Sequence, residues 1–150
     1  MAKKVPEGFA TITPTLVVDG AAKAIEQYKK AFGATEDYRM EVPGNKDKIM
    51  HACLTIGNSK LFICDVQPQM CATPTSSRFY LYFDDVDAMF KQAKGAGCNE
   101  SMAPQDMFWG DRMGAVTDNF GIHWSIATFQ REVSDEELKQ GAKKMGNKAA

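Results

Sequence analysis

No run in this 150-residue chain approaches the roughly 20 apolar residues that a membrane-spanning helix requires, so no membrane partner is expected. The opening stretch Met1-Ala2-Lys3-Lys4-Val5-Pro6-Glu7 carries charge but no apolar core behind it, and does not read as a secretory signal. A basic excess is missing too. Eighteen Lys and Arg stand against nineteen Asp and Glu, a net charge of −1, which argues against a nucleic-acid partner. The cluster Lys143, Lys144 and Lys148 reads as a solvated tail. The four cysteines, Cys53, Cys64, Cys71 and Cys98, form no CxxC pair and share no zinc-ligand spacing, so free thiols are expected. What is present is ordinary for a globular protein: 44% hydrophobic and 25% charged residues, on a chain long enough to build a core without staples. The expectation is a soluble, cytoplasmic protein of bacterial style.

Phe9 to Val18 is rich in β-branched residues and reads as a strand, closed by Asp19-Gly20. Ala24, Ile25, Tyr28, Ala31 and Phe32 then recur at intervals of three and four, which predicts a helix from Ala21 to Phe32 ended by Gly33. Three strands follow, Ala34–Val42, Lys48–Ile56 and Lys60–Val66, separated by Pro43-Gly44-Asn45 and Gly57-Asn58-Ser59. Between Val66 and Ser77 the composition turns to Gln, Pro, Thr and Ser, a linker, after which the order repeats. Leu81-Tyr82-Phe83-Asp84 matches Leu16-Val17-Val18-Asp19, and at the same offset Gln92, Lys94 and Ala96 match Gln27, Lys29 and Ala31. The second unit reads as strand 78–83, helix 86–96, and strands near 100–102, 112–117 and 122–129. The chain is thus α+β, built of two βαβββ modules, about 9–67 and 76–129, in a domain of residues 1–130. Residues 131–150 form a polar tail, in which Ser134 and Glu137 have capping-box spacing ahead of a short helix from Asp135 to about Met145. Gly141 weakens that helix.

Side chains alternate across a strand, so each strand divides into a core set and an opposite set. Ala52, Leu54 and Ile56, then Phe79, Leu81 and Phe83, then Trp124 and Ile126 are core, as are Ile12, Leu16 and Val18. His51, Cys53, Thr55, Phe62, Cys64, Arg78, Tyr80, Tyr82, His123 and Ser125 fall opposite. A solvent-facing sheet would carry Lys and Glu there. Aromatics mixed with a few polar groups suit a small-molecule cleft, and equally a dimer interface.

Several stretches carry a resemblance: Leu16-Val17-Val18-Asp19-Gly20-Ala21-Ala22, Tyr28-Lys29-Lys30-Ala31-Phe32-Gly33, Ile49-Met50-His51-Ala52, Met107-Phe108-Trp109-Gly110-Asp111-Arg112 and Asp118-Asn119-Phe120-Gly121-Ile122-His123-Trp124. With the duplicated module, the chain resembles the vicinal oxygen chelate superfamily of glyoxalases, extradiol dioxygenases and bleomycin or fosfomycin resistance proteins, and within it the PhnB-like branch. The resemblance implies curled, mixed, mostly antiparallel sheets around a cleft, and a homodimer. Some members carry a ubiquinone-methyltransferase label, yet no glycine-rich loop follows a strand here to hold a methyl-donor nucleotide. Metal-dependent members place His, Gln and Glu at positions that become Thr13, Phe62, Arg78 and Ser125. None suits a divalent ion, so no metal and no cofactor are expected.

The candidate ligand-binding residues are Arg78, Tyr80, Cys53, Phe62, Trp109, Arg112 and Ser125. Arg78 offers a guanidinium to a carboxylate or phosphate, and Trp109 with Phe108 offers a lid. Asp111 pairs with Arg112 or caps a turn, leaving Arg112 an alternative anion contact. His51 and His123 are the candidate acid–base groups. The leading expectation is a metal-independent protein that binds a small anionic or aromatic ligand. The alternative is a lyase- or isomerase-type enzyme using His51 or His123, with a divalent metal at a shifted site drawing on His51, His123, Cys53 or Cys64. A third reading treats the polar faces as dimer contacts alone.

Overall fold

A computed structural model describes residues 4–69 and 73–149, so Cys71 lies outside the described residues. The first module runs β1 (Thr15–Val18), α1 (Ala21–Phe32), β2 (Thr35–Val42), β3 (Asn45–Ile56) and β4 (Ser59–Asp65). The second runs β5 (Arg78–Tyr82), α2 (Val86–Gly95), β6 (Asn99–Asp106), β7 (Asp111–Thr117) and β8 (His123–Phe129), and α3 (Asp135–Ala149) follows. Each module forms one four-stranded sheet, in the orders β1-β4-β3-β2 and β5-β8-β7-β6. β1 pairs parallel with β4 and β5 parallel with β8; every other pairing is antiparallel.

α1 has no local side-chain cap. Instead Asp65, at the end of β4, reaches across so that its Oδ1 accepts from Gly20 N at 2.8 Å and Ala21 N at 3.1 Å, while Oδ2 accepts from Ile49 N at 2.7 Å. The carboxylate thus sits at the positive end of the helix and ties it to two strands. α2 is capped locally, by Asp85 accepting from Ala88 N at 3.0 Å.

The helix-facing side chains of both sheets merge into one core, with Leu16, Leu54 and Ile63 from the first and Val116, Trp124 and Ile126 from the second. Trp124 joins the modules: its ring lies 5.2 Å from Tyr28 and 4.8 Å from Phe32, both on α1. Truncating such a side chain to Ala typically costs about 3–5 kcal/mol. Asp118 closes the junction. It accepts from Tyr28 Oη at 2.6 Å, Trp124 Nε1 at 2.9 Å and the backbone N–H groups of Phe120 and Ile122.

One strand is shorter than its composition predicts. β1 begins only at Thr15, and Ile12, expected in the core, is 81% exposed. Pairing with β4 starts where Pro14 O accepts from Phe62 N at 2.8 Å, and Pro14 has no N–H with which to continue a ladder. The outer edge of β1 is closed by the linker, since Thr75 Oγ1 accepts from Val17 N and Thr75 N donates to Val17 O, both at 2.7 Å.

Candidate functional site

The residues opposite the core form two groups, one per sheet. On the second sheet the register sets Arg78 beside His123 and His123 beside Thr117; next come Tyr80, Ser125 and Ala115, then Tyr82, Ala127 and Met113. Because Ser125 and Ala127 are small, Tyr80 and Tyr82 reach over them to Asp111 at the head of β7. Asp111 Oδ2 accepts from Tyr80 Oη at 2.7 Å and from Tyr82 Oη at 3.0 Å, and the residue is only 3% exposed. Trp109 Nε1 donates to Tyr80 Oη at 3.2 Å, which brings the β6–β7 turn onto the same face. The two phenol rings lie 5.2 Å apart with their oxygens tied down, yet Tyr80 and Tyr82 are 42% and 61% exposed. Burial, reinforced by the hydrogen bond to Asp111, pushes the Tyr80 phenol up to about 12. The same two causes raise Tyr82.

At the other end of this face, Ser101 Oγ lies 2.9 Å from Thr117 Oγ1, which lies 3.1 Å from His123 Nδ1. A hydroxyl on Nδ1 orients the imidazole and leaves Nε2 uncommitted among the described residues. Arg78, adjacent and exposed, makes no hydrogen bond or ion pair among the described residues. The other arginines are all engaged. Arg39 binds Glu36, Arg112 binds Asp87 and Asp106, and Arg131 binds Glu137.

On the first sheet His51 lies beside Met40, and Cys53 beside Tyr38 and Phe62. Tyr38 Oη is 3.0 Å from His51 Nε2, and the His51 ring packs against Phe62 with centroids 4.6 Å apart and the planes tilted by 53°. Asp37, displaced onto this face by a bulge in β2, accepts from Lys60 Nζ at 2.9 Å, Thr55 Oγ1 at 2.7 Å and Cys53 Sγ at 3.5 Å. Burial, then the bond to Asp37, raises the Cys53 thiol. That keeps it protonated and a poor nucleophile.

Of the residues singled out from sequence, the structure gathers Arg78, Tyr80, Trp109, Ser125 and His123 on one face. It places His51, Cys53 and Phe62 together on the other sheet. Arg112 joins neither group, because its guanidinium turns to α2, with Nε 2.8 Å from Asp87 Oδ2. Asp111 does not pair with Arg112 but with the two tyrosines. Sequence reasoning missed the Asp111 tie and the Ser101–Thr117–His123 chain. Neither has a spacing signature, since both depend on strand register.

The donors do not suit the metal of the resembled enzymes. At the four positions that the resemblance aligns with the metal ligands of those enzymes stand Thr13, Phe62, Arg78 and Ser125, a guanidinium, two hydroxyls and a phenyl ring in place of imidazole and carboxylate. Among the described residues no three His, Cys, Asp or Glu side chains gather as a metal would require. The shifted set is divided, with His51, Cys53 and Cys64 on the first sheet and His123 on the second.

A cavity of about 710 Å³ runs along β5, lined by Leu16, Leu61, Phe79, Leu81 and Trp124 and also by Tyr80 and Tyr82. Its one ionisable amine, Lys60, is already bound to Asp37.

With this geometry in hand, the relatives can be placed. The chain is 42% identical over 145 residues to the uncharacterized protein Mb0911c of Mycobacterium bovis, covering 91% of this chain and 94% of that protein. Its fold matches TioX from Micromonospora sp. ML1 with a TM-score of 0.68 at 24% identity, over 80% of this chain and 98% of TioX. A PhnB protein from Bacillus cereus matches with a TM-score of 0.61 at 20% identity, over 79% and 99% of the two chains. Residues 9–126 match the family model, and the chain belongs to the Glyoxalase/Bleomycin resistance protein/Dioxygenase superfamily.

Proposed function

We propose that the outward face of the second sheet binds a small aromatic carboxylate without a metal, Arg78 holding the carboxylate and Tyr80 stacking on the ring. The carrying observation is that, among the described residues, Arg78 alone of the four arginines lacks an acidic partner, on a face where two tyrosines are hydrogen-bonded to Asp111. A guanidinium keeps its charge at any working pH and binds carboxylates through two parallel hydrogen bonds. Arg78 and Tyr80 lie two residues apart on one strand, a separation of about 7 Å, which matches a carboxyl group attached to a single ring. Ser125 and His123 line the space between them.

A second reading, acid–base catalysis on the same ligand, is supported by His123, which pairs with Arg78 and whose Nε2 has no partner among the described residues while Thr117 Oγ1 sits 3.1 Å from Nδ1. We further infer a homodimer. Tyr38 and Met40 on one sheet and Tyr80, Tyr82 and Phe129 on the other are exposed, large apolar side chains that a second copy would cover. The test is calorimetric titration with benzoate and benzamide, alongside sedimentation. Benzoate is expected to bind more tightly than benzamide, and Arg78→Met to abolish that preference while leaving benzamide unaffected. Equal binding of the two probes by the wild-type protein would defeat the reading.

A further inference from the structure

We propose that Gly141 on α3 is a positioning residue of the ligand face, seating Phe108 so that the neighbouring Trp109 is held against Tyr80. The inference rests on the ligand face just described but concerns a segment outside the matched family region, which ends at residue 126. Glycine inside a helix costs about 1 kcal/mol relative to alanine, so Gly141 requires a reason. Its surroundings supply one. A Cβ at position 141 would overlap the Phe108 ring and stand 2.7 Å from Phe108 Cβ, whereas a Cβ at Gly146, in the same helix, would meet nothing.

Phe108 in turn packs edge-on to Trp109, with centroids 5.0 Å apart at 84°, and Trp109 donates to Tyr80. The contact is prepared on both sides. Gln130 N and Arg131 N both donate to Gly110 O, at 3.0 and 3.2 Å, and a Cβ at Gly110 would strike Arg131 O. The tail is therefore pinned to the β6–β7 turn where it leaves β8. Ser134 and Glu137 then start α3 by reciprocal capping, Glu137 Oε2 accepting from Ser134 N at 2.9 Å and Ser134 Oγ from Glu137 N at 3.2 Å. That start fixes which turn of α3 meets Phe108.

Gly141→Ala and Gly146→Ala separate this role from helix propensity, since both substitutions favour the helix and only the first meets Phe108. The first readout needs no ligand. The chain has two tryptophans, and Trp124 is buried, so acrylamide quenching lost on Trp109→Phe reports Trp109. Gly141→Ala is expected to raise Trp109 quenching about twofold and to weaken benzoate binding about two- to tenfold, the range for one aromatic contact. Gly146→Ala is expected to match the wild type in both. Adding Phe108→Leu to Gly141→Ala makes room for the methyl group and is expected to return quenching toward the wild-type value. Identical quenching in the two alanine variants would overturn the proposal. If wild-type protein fails to bind benzoate, the ligand reading falls, and Trp109 quenching still decides whether Gly141 positions the turn.

Discussion

Gln27 and Gln92 make the same hydrogen bond in opposite directions across the junction of the two modules. Gln27 Nε2 donates to Ala96 O at 3.2 Å, and Gln92 Nε2 donates to Ala31 O at 3.2 Å. Donors and acceptors are related by one sequence offset of 65. The weak repeat in the sequence is thus a two-fold contact in space, with each helix's glutamine fastening the end of the other helix. Replacing either glutamine by Ala is expected to cost about 1 kcal/mol, because a partly buried carbonyl loses its donor. Urea titration of the two single variants and the double checks this, and an unchanged midpoint in both singles would rule the bonds out as a stabilising contact.

Asp118 carries a larger share of the junction. Its carboxylate is buried with four donors, two of them the side chains of Tyr28 and Trp124. Asp118→Ala strips all four of their acceptor and is expected to destabilise by about 3 kcal/mol or more; Tyr28→Phe removes one and should cost about 1–2 kcal/mol. Thermal unfolding of both variants would show the order, and a Tyr28→Phe protein as damaged as Asp118→Ala would contradict it.

The tyrosine pair gives an optical test. Tyr80 is pushed up to about 12, by burial first and by Asp111 second. A folded-state value raised above that of the unfolded chain means a stabilising contribution that is complete below about 10 and lost as pH climbs through about 12. Absorbance at the tyrosinate band is expected to show a late-titrating component that Tyr80→Phe removes and Asp111→Asn shifts downward. A titration curve unaltered by Tyr80→Phe would contradict the assignment.

At the acidic end the relevant group is Glu36. The Arg39 guanidinium, 2.7 Å away, is the main reason its carboxyl sits at about 2, with Lys29 assisting. Here the folded-state value is depressed, so the contribution is complete above the ordinary glutamate range and is lost as pH falls from about 4.5 toward 2. After allowance for solvent screening it is worth about 1 kcal/mol. Glu36→Gln should flatten that part of the stability–pH curve while leaving the slope near neutrality alone. The same acid limb in both proteins would exclude Glu36 as its source.

Ending the chain at Gln130 is expected to leave the two modules folded. The tail has three half-buried residues, Val133 ahead of α3 and Leu138 and Gly141 within it, while Met145 is 48% exposed. A loss of about 1–2 kcal/mol is expected, the scale of one or two partly buried apolar side chains. Failure of the shortened chain to unfold cooperatively would show that the tail belongs to the core.

Local patterns were legible from the chain alone. The three-and-four spacing from Ala24 to Phe32 with Gly33 behind it bounded α1, and Ser134 with Glu137 marked the start of α3, because such signals act within one or two turns of backbone. Alternation likewise separated Arg78, Tyr80 and Tyr82 from Phe79 and Leu81, since strand geometry alone sends neighbours to opposite faces. Ile12 failed that rule, for the alternation holds only where a partner strand pairs, and pairing begins beyond it.

Tertiary structure alone decided the partners. Asp111 stands next to Arg112 in the chain, yet strand geometry turns them to opposite faces, where Asp111 meets Tyr80 and Tyr82 and Arg112 meets Asp87. Gly141, in sequence a weak point in a helix, became the place where a ring can approach its backbone. These pairings join residues 25 to 33 positions apart, and which atoms meet at such distances is set by sheet register and helix docking, physical quantities that no local run of residues contains.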